Sequence, residues 1–254
     1  MLKKATLAIT LFFANASYAA ENNLTFTTGV DYSSGKYGQS EKTKITYIPL
    51  TGKYETGQWT LKLTVPWLEI DGPGGVSGDG IVVITDTTNN KTTVESGLGD
   101  IVAGITYSAF QLDSQKIYID IGAKVKIPTA SKSKGLGTGE TDYALLADVY
   151  KTFDQLTILG TIGYRVLGDP SGINLNNVWF ATVGGAYKFD SRNSASFTVD
   201  LREPTTKSST SLREYTLFYS HKFNDTYKLQ TYLVTGDTTS SLDFGAGAMI
   251  GVSW

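Results

Sequence analysis

Apolar and polar positions alternate most clearly at the C-terminal end of the chain. Side chains of a β-strand repeat their direction every second residue, so this pattern predicts a strand that ends the chain. An aromatic residue at the tip of such a strand is typical of the girdle at the lipid boundary of a membrane barrel. The apolar positions are Phe244, Ala246, Ala248, Ile250, Val252 and Trp254, and the intervening ones are Gly245, Gly247, Met249, Gly251 and Ser253.

The same alternation runs through residues 116–127. Isoleucine, valine and alanine occupy the odd positions from Ile117 to Ile127, while the even positions carry tyrosine, glycine and charges such as Asp120 and Lys124. A soluble sheet that buries its apolar face in a core gives the same pattern. Repetition favours lipid instead, because nearly every predicted strand has a wide apolar face and no predicted helix could cover those faces.

The periodicity predicts about twelve strands, an even number, as in single-chain barrels of the bacterial outer membrane. We therefore expect an all-β fold, a transmembrane antiparallel up-and-down β-barrel. An irregularity or bulge is expected at Pro49, because proline cannot donate to the ladder. The predicted strands are 24–32, 43–54, 59–67, 100–110, 116–127, 141–153, 156–167, 177–189, 194–203, 212–223, 227–236 and the closing strand 241–254.

The connections between these strands alternate between tight turns and mostly longer polar loops, the longest being 71–99 and 129–140. In outer-membrane barrels the short turns are periplasmic, so both termini are expected there. Aromatic residues mark both ends of the strands, as girdles do. Phe110 is one position out of phase with the apolar face of its strand. The expected girdles are Tyr54, Phe110, Phe153, Phe189, Phe223 and Trp254 on the turn side, and Tyr32, Trp67, Tyr143, Tyr164, Trp179 and Tyr215 on the loop side.

The N-terminal residues have the pattern of a secretory signal peptide. Lys3 and Lys4 precede an apolar run, and the small residues Ser17 and Ala19 follow it. The run is far shorter than the ~20 residues of a spanning helix, which argues against a membrane anchor. We expect a signal peptide over residues 1–19, cleaved near Ala19, and a barrel over residues 20–254 in the outer membrane of a Gram-negative bacterium.

Composition narrows the possible functions. The chain has no cysteine, which excludes a disulfide framework and a thiolate metal site, and its net charge of −2 gives no reason to expect nucleic-acid binding. We expect neither a metal nor a cofactor. The mean hydropathy of −0.11 is typical of a chain that alternates apolar and polar positions.

The polar phase of the strands would line the interior of the barrel. Charges there either pair across the wall and rigidify it, or border water and tune what passes. The same phase holds Asp31, Asp142 and Lys228. A lumen of twelve strands is expected to be narrow and constricted by loops. The candidate lumen-lining residues are Lys62, Asp100, Asp120, Lys124, Lys126, Asp148, Arg165, Asp200, Arg202 and Glu214.

Enzyme motifs are scarce. His221 is the single histidine, and it falls in the outward phase of its strand, whereas the adjacent Ser220 points to the opposite face. A Ser-His pair needs both side chains within hydrogen-bond reach, so we predict no catalytic residues.

Three stretches carry a resemblance to a known family. WTLKLTVPWLEIDGPGGV (59–76), SGLGD (96–100) and KVKIPTASKSKGLGTGETDYAL (124–145) resemble the outer-membrane transporter family named for a MetA-pathway of phenol degradation. The resemblance implies a barrel and transport of aromatic or other small molecules, and it transfers no substrate-binding residue. Trp67 stands where the family pattern has tyrosine. The closing strand resembles the C-terminal signature read by the barrel assembly machinery.

These observations predict an outer-membrane channel for passive passage of small solutes. Its partners would be outer-membrane lipid, the solutes, and the assembly machinery acting on the strand that ends at Trp254. The alternative is a non-conducting barrel whose loops 71–99 and 129–140 bind a partner or shape the cell surface. A soluble periplasmic β-protein is the third possibility.

Overall fold

The computed structural model describes residues 23–77, 82–85 and 93–254. The predicted signal peptide lies outside the described residues. Among the described residues, no helix has the length and apolar character needed to cross a membrane.

The described chain consists of strands and one short 3-10 helix, Lys132–Lys134. Short turns join the strands at one end, here called the turn end, and longer segments join them at the other, here called the loop end. The strands are β1 Asn23–Gly35, β2 Thr43–Thr56, β3 Trp59–Gly72, β4 Gly74–Ser77, β5 Val82–Thr85, β6 Thr93–Leu98, β7 Ile101–Leu112, β8 Ile117–Ile127, β9 Asp142–Phe153, β10 Leu156–Val166, β11 Val178–Lys188, β12 Asn193–Arg202, β13 Leu212–Lys222, β14 Tyr227–Gly236 and β15 Phe244–Ser253.

Twelve of these strands close into one antiparallel barrel, which confirms the predicted fold class. The twelve are β1–β3 and β7–β15; each pairs with the barrel strands that precede and follow it, and β1 also pairs with β15. The last residue completes the seam, because the amides of Leu24 and Trp254 each donate to the other's carbonyl at 3.1 and 3.0 Å. Closure leaves no unpaired barrel edge.

The alternation along each strand separates an apolar outside from a largely polar inside. On β8, Ile121 is 54% exposed while its neighbour Asp120 is 5% exposed. The exposed apolar side chains recur around the barrel, as a surface that faces lipid requires. They include Phe26, Val30, Leu50, Leu61, Leu63, Ile105, Leu145, Val149, Ile158, Ile162, Val183, Leu201, Leu217, Leu233 and Ile250.

Aromatic side chains form a belt on the outer surface at each end of the barrel. At the turn end, Phe26 meets Trp254 across the barrel seam with ring centroids 6.0 Å apart. At the loop end, Tyr164 packs against Trp179 at 5.1 Å. Of the residues predicted for the turn-end girdle, Tyr54 is half-buried and the other five are exposed.

A β-bulge explains the position of Phe110. The register of β7 with β8 shifts between Ser108, opposite Asp120, and Phe110, opposite Ile119, so Ala109 is an extra residue. The bulge turns Phe110 to the outside, where it is exposed like the other girdle rings.

The irregularity expected at Pro49 is not a bulge. Pro49 lies directly opposite Pro66 in a continuous β2–β3 register. On its other side the β1–β2 ladder stops after Thr28–Leu50 and resumes at Asp31–Tyr47 with the same register. Proline therefore interrupts hydrogen bonding here without changing which way the later side chains point.

The segment predicted as one long loop, 71–99, contains more strand than expected. β3 continues to Gly72 and pairs there with β6, while β4 and β5 pair as a separate two-stranded antiparallel sheet. β6 and β7 follow one another along β3, interrupted at Gly99 and Asp100, where the Gly99 amide donates to the Pro66 carbonyl at 2.9 Å. The interruption turns Asp100 into the barrel.

Candidate functional site: the barrel lumen

Carboxylates form a row around the inner wall, which we call the acidic row. Asp120 and Asp148 lie directly opposite each other on β8 and β9, and Asp200 and Glu214 do so on β12 and β13. The hydroxyls of Thr161 and Thr182 stand between them in the same register and donate to Asp148 (2.5 Å) and Asp200 (2.6 Å). Hydrogen bonds from hydroxyls allow carboxylates to remain in a site with little solvent. The acidic row thus runs Asp120, Asp148, Thr161, Thr182, Asp200, Glu214.

Cationic side chains lie on the loop-end side of this row. Lys124 and Arg165 flank Ala144 in one register across β8, β9 and β10. The Arg165 guanidinium lies over the Phe180 ring, 5.6 Å from its centroid, and Arg202 is directly opposite Phe180 on β12. A Cβ at Gly163 would clash with that ring, so glycine is what allows Phe180 to lie against the wall.

A buried ion cluster joins the barrel wall to the connection between β8 and β9. The Lys126 ammonium lies 2.8 Å from Asp142 and 3.4 Å from Asp100, and it donates to the Thr138 hydroxyl at 3.0 Å. Asp100 also accepts the Ala130 amide at 2.9 Å. Because all these side chains are shielded from solvent, their attraction is strong, and loss of the single ammonium would leave two buried carboxylates uncompensated at a high cost in stability.

The connection 128–141 folds into the mouth of the barrel. Leu136 is 2% exposed and packs with Ala130 against the inward-facing Ile45, Leu68 and Ile70 of β2 and β3. A Cβ at Gly137 would come within 2.9 Å of an Asp100 oxygen, so this close approach needs glycine. The connection therefore narrows the loop end of the lumen.

A second constriction crosses the lumen on the turn-end side of the acidic row. Tyr118, Tyr150 and Leu159 on β8, β9 and β10 form one apolar cluster with Phe218 on β13, and Tyr232 on β14 packs against it. The rings of Phe218 and Tyr232 are 5.4 Å apart. Between the two groups, β11 has the small residues Gly184 and Ala186, which lie opposite Thr198 and Ser196 of β12. We call this set the aromatic cluster.

The ten predicted lumen residues occupy inward positions, but the structure gives them different surroundings. Four belong to the acidic row, Asp100 and Lys126 belong to the buried ion cluster, and Lys124, Arg165 and Arg202 lie on the cationic wall. Lys62 belongs to none of these groups. It is half-buried and lies opposite Lys53 of β2, and the Lys53 ammonium pairs with Glu55 at 2.8 Å.

Sequence reasoning missed the aromatic cluster and the contact between Arg165 and the Phe180 ring. Tyr118, Tyr150 and Phe218 stand at positions of the polar phase, where an aromatic ring is unusual. That deviation was the available signal. Contacts across the lumen depend on barrel closure, which local alternation does not specify.

His221 contacts Asn193 and Phe223, and the adjacent Ser220 points to the other face of β13. Its Nδ1 lies 2.8 Å from the Asn193 side-chain oxygen, and its ring packs on Phe223 at 4.7 Å. Ser220 points inward and is buried. The residues nearest a catalytic pattern are therefore held on opposite faces of β13.

Solved structures of outer-membrane channels have the same fold. The COG4313 outer membrane channel from Pseudomonas putida F1 matches with a TM-score of 0.67 and 12% identity over 92% of this chain and 94% of that one. The NanC porin matches with a TM-score of 0.57 and 13% identity over 90% and 98%. The CymD monoaromatic hydrocarbon channel matches with a TM-score of 0.50 and 11% identity over 91% and 87%.

Sequence comparison adds no relative: no family model matches the chain, and no curated protein does. The predicted resemblance to outer-membrane barrel transporters is confirmed by the structural neighbours, at the level of the fold. The chain therefore folds as an outer-membrane channel does.

Proposed function

We propose that the protein is a bacterial outer-membrane channel for passive passage of small solutes. The exposed apolar belt and the aromatic bands are the surface that a bilayer requires. The fold shared with a solved outer-membrane channel and a porin supports placement in the bacterial outer membrane. In this proposal the turn end is periplasmic and the loop end is extracellular.

The observation that carries the proposal is the charged inner wall. A barrel that served only as a scaffold could fill its interior with apolar side chains, as packed cores do. Here the acidic row and the cationic side chains point toward the axis, and a water-sized cavity opens beside Lys124 and Arg165, while the buried ion cluster is packed into the mouth. Polar walls of this kind line water-filled passages in membrane barrels.

The two constrictions limit what passes. The folded connection 128–141 narrows the loop end, and the aromatic cluster narrows the turn-end half. We therefore propose low conductance and exclusion of large solutes. The channel performs no chemistry on its solute and needs no cofactor.

Export and assembly complete the proposal. Residues 1–19 would direct secretion. The strand ending at Trp254, whose backbone seals the barrel against Leu24, would be the segment that the assembly machinery reads.

A second candidate function is a non-conducting barrel. The aromatic cluster favours it, since an apolar contact that spans the lumen would seal it. The inward fold of 128–141 weakens the surface-interaction form of this alternative, because Leu136 and Thr138 are buried in the mouth.

Liposome swelling separates the two functions. Vesicles carrying the refolded wild type and the Phe218→Ala variant would be diluted into arabinose and, separately, raffinose. The channel proposal predicts swelling of wild-type vesicles in arabinose and much slower swelling in raffinose. Swelling that requires Phe218→Ala would establish that the cluster seals the barrel and that the wild type is non-conducting.

A further inference from the structure

The side chain of Tyr232 is held on the inner wall by the two strands that follow β14 around the barrel. Tyr232 of β14, Gly247 of β15 and Asp31 of β1 lie in one register. The Tyr232 hydroxyl donates a hydrogen bond to an Asp31 carboxylate oxygen. A Cβ at Gly247 would come within 2.5 Å of the Tyr232 ring, so the ring crosses β15 directly over this glycine. The hydrogen bond and the absence of a side chain at Gly247 together fix where the ring lies.

Tyr232 in turn supports Phe218. Phe218 lies directly opposite Tyr232 on β13, and the two ring centroids are 5.4 Å apart. Phe218 is buried in the aromatic cluster, whose other buried members, Tyr118, Tyr150 and Leu159, belong to β8, β9 and β10. Phe218 is therefore held between Tyr232 on its own side of the lumen and the strands β8–β10 on the other.

A series of contacts thus connects Asp31 to the turn-end constriction. A hydrogen bond to a carboxylate is stronger than one between two neutral groups. A tyrosine side chain has only two χ angles, so an anchored hydroxyl leaves the ring little freedom. Without the Asp31 acceptor the ring would be free to turn away from Gly247, and Phe218 would lose the surface on which it packs.

We infer that Asp31 is a positioning residue of the channel: through the Tyr232 hydroxyl it holds Phe218 in the place that narrows the lumen. The inference rests on the proposed channel function, because it names the residue that sets the width of the passage. It makes the constriction depend on one hydrogen bond between β1 and β14.

The hydrogen bond of Asp31 has to be separated from its charge, because Asp31 also interacts electrostatically with Glu214 and Tyr37. Tyr232→Phe removes the hydrogen bond and keeps the charge. Asp31→Asn removes the charge and keeps an oxygen that accepts from the Tyr232 hydroxyl. Asp31→Ala removes both.

Gly247→Ala displaces the ring by a different route. This variant leaves Asp31 and Tyr232 intact, but its methyl group would occupy the space in which the ring lies. Gly104→Ala on β7 is the matched control. Gly104 lies opposite Lys124 on the inner wall, and a Cβ there would meet no atom closer than 3.6 Å.

The position of Phe218 can be measured without conduction. The chain has no cysteine, so a single thiol can be placed at Ser220, which is buried on the same face of β13 two residues from Phe218. The rate of its reaction with methyl methanethiosulfonate would be measured in detergent for Ser220→Cys alone and combined with each variant. This reagent is uncharged, so loss of the Asp31 charge does not change its local concentration. Ser208→Cys, in the exposed connection between β12 and β13, is the reference thiol, and heat-modifiable migration on gels verifies folding.

Loss of one hydrogen bond to a charged group should raise the Ser220→Cys reaction rate about tenfold in both Asp31→Ala and Tyr232→Phe. The double variant should react no faster than either single variant, because both substitutions remove the same bond. Gly247→Ala should also react faster. Asp31→Asn and Gly104→Ala should react at the rate of Ser220→Cys alone.

Equal rates in all variants would overturn the inference, and so would an Asp31→Asn rate as high as that of Asp31→Ala. Additive effects of Asp31→Ala and Tyr232→Phe would also contradict it. None of these results bears on the channel proposal, which liposome swelling tests separately. A wild type that never conducts would refute the channel and leave the thiol rates unchanged, so the two failures are distinguishable.

Discussion

The ammonium of Lys126 lies 2.8 Å from the carboxylate of Asp142, and the two side chains are only 3% and 8% exposed. Asp100 lies 3.4 Å from the same ammonium, and the Thr138 hydroxyl accepts a hydrogen bond from it at 3.0 Å. This relationship connects β8, β9 and the folded connection 128–141. Lys126 is therefore a structural residue first, and its removal is a poor test of solute selectivity.

Replacing Lys126 with methionine should destabilise the barrel strongly. The variant leaves Asp100 and Asp142 buried without their counter-ion, which costs about 3–5 kcal/mol. The exposed pair Lys44–Asp71, with N–O distance 3.0 Å, provides the control, because Lys44→Met should cost only ~0–1 kcal/mol. Denaturant unfolding in phospholipid vesicles measures both free energies. Equal small losses would mean that the buried cluster contributes little to folding.

The connection 128–141 should open when its apolar anchor is shortened. Leu136→Ala removes a buried side chain from contact with β2 and β3. At a fully packed site this substitution lowers the unfolding free energy by about 2–5 kcal/mol. Trypsin should then cleave faster after Lys132 and Lys134, which lie in this connection. Leu98→Ala, at a side chain exposed on β6, is the control and should leave cleavage unchanged. Cleavage at the wild-type rate in Leu136→Ala would contradict the docked arrangement.

The depth of a charged side chain in the bilayer should determine how much it lowers the unfolding free energy when it is placed on the outer face of β10. Ile162 lies near the middle of the strand and Leu156 is its first residue, and both are exposed. Ile162→Arg should lower the unfolding free energy in vesicles by about 2–4 kcal/mol and Leu156→Arg by ~0–1 kcal/mol. Both variants place an arginine on the same face of one strand at different depths. A soluble protein would show no such depth dependence.

Asp190, in the turn between β11 and β12, should stabilise the folded barrel only when its carboxyl group is ionised. Hydrogen bonds from the Asn193 side chain, the Arg192 amide and the Asn193 amide hold the pKa of Asp190 below its ordinary value of 3.8. A lowered pKa means that the stabilisation is complete above 3.8 and is lost as the pH falls through the folded-state pKa.

Carbon-13 NMR of the carboxyl group in micelles should give a midpoint below 3.8 for Asp190. Asp190→Asn should remove this contribution from the pH dependence of unfolding. A midpoint at or above 3.8 would show that these hydrogen bonds do not stabilise the carboxylate.

Period-two alternation was enough to predict the barrel, because lipid outside and polar groups inside dictate the direction of every second side chain. It places Ile121 outside and Asp120 inside without reference to strand pairing, in agreement with their exposed fractions of 54% and 5%. It failed at Ala109 because one extra residue reverses the phase, and only the pairing with β8 reveals the bulge.

The interior was less predictable. Alternation predicts that Lys126 points inward, but it does not predict that Asp100 and Asp142 neutralise the ammonium. Leu136 is the one large aliphatic residue in a polar, glycine-rich segment, so nothing local predicts that it enters the mouth. The aromatic cluster brings Leu159 of β10 together with Phe218 of β13, and the inner faces of these strands meet only because the barrel closes.

Single-channel recording of the purified, refolded wild type in a planar lipid bilayer tests the central claim most directly. Passive passage through a narrow charged lumen predicts discrete openings of low conductance. A barrel that is folded and heat-modifiable, yet inserts without ever conducting, would contradict the channel and leave the sealed barrel as the function that the structure supports.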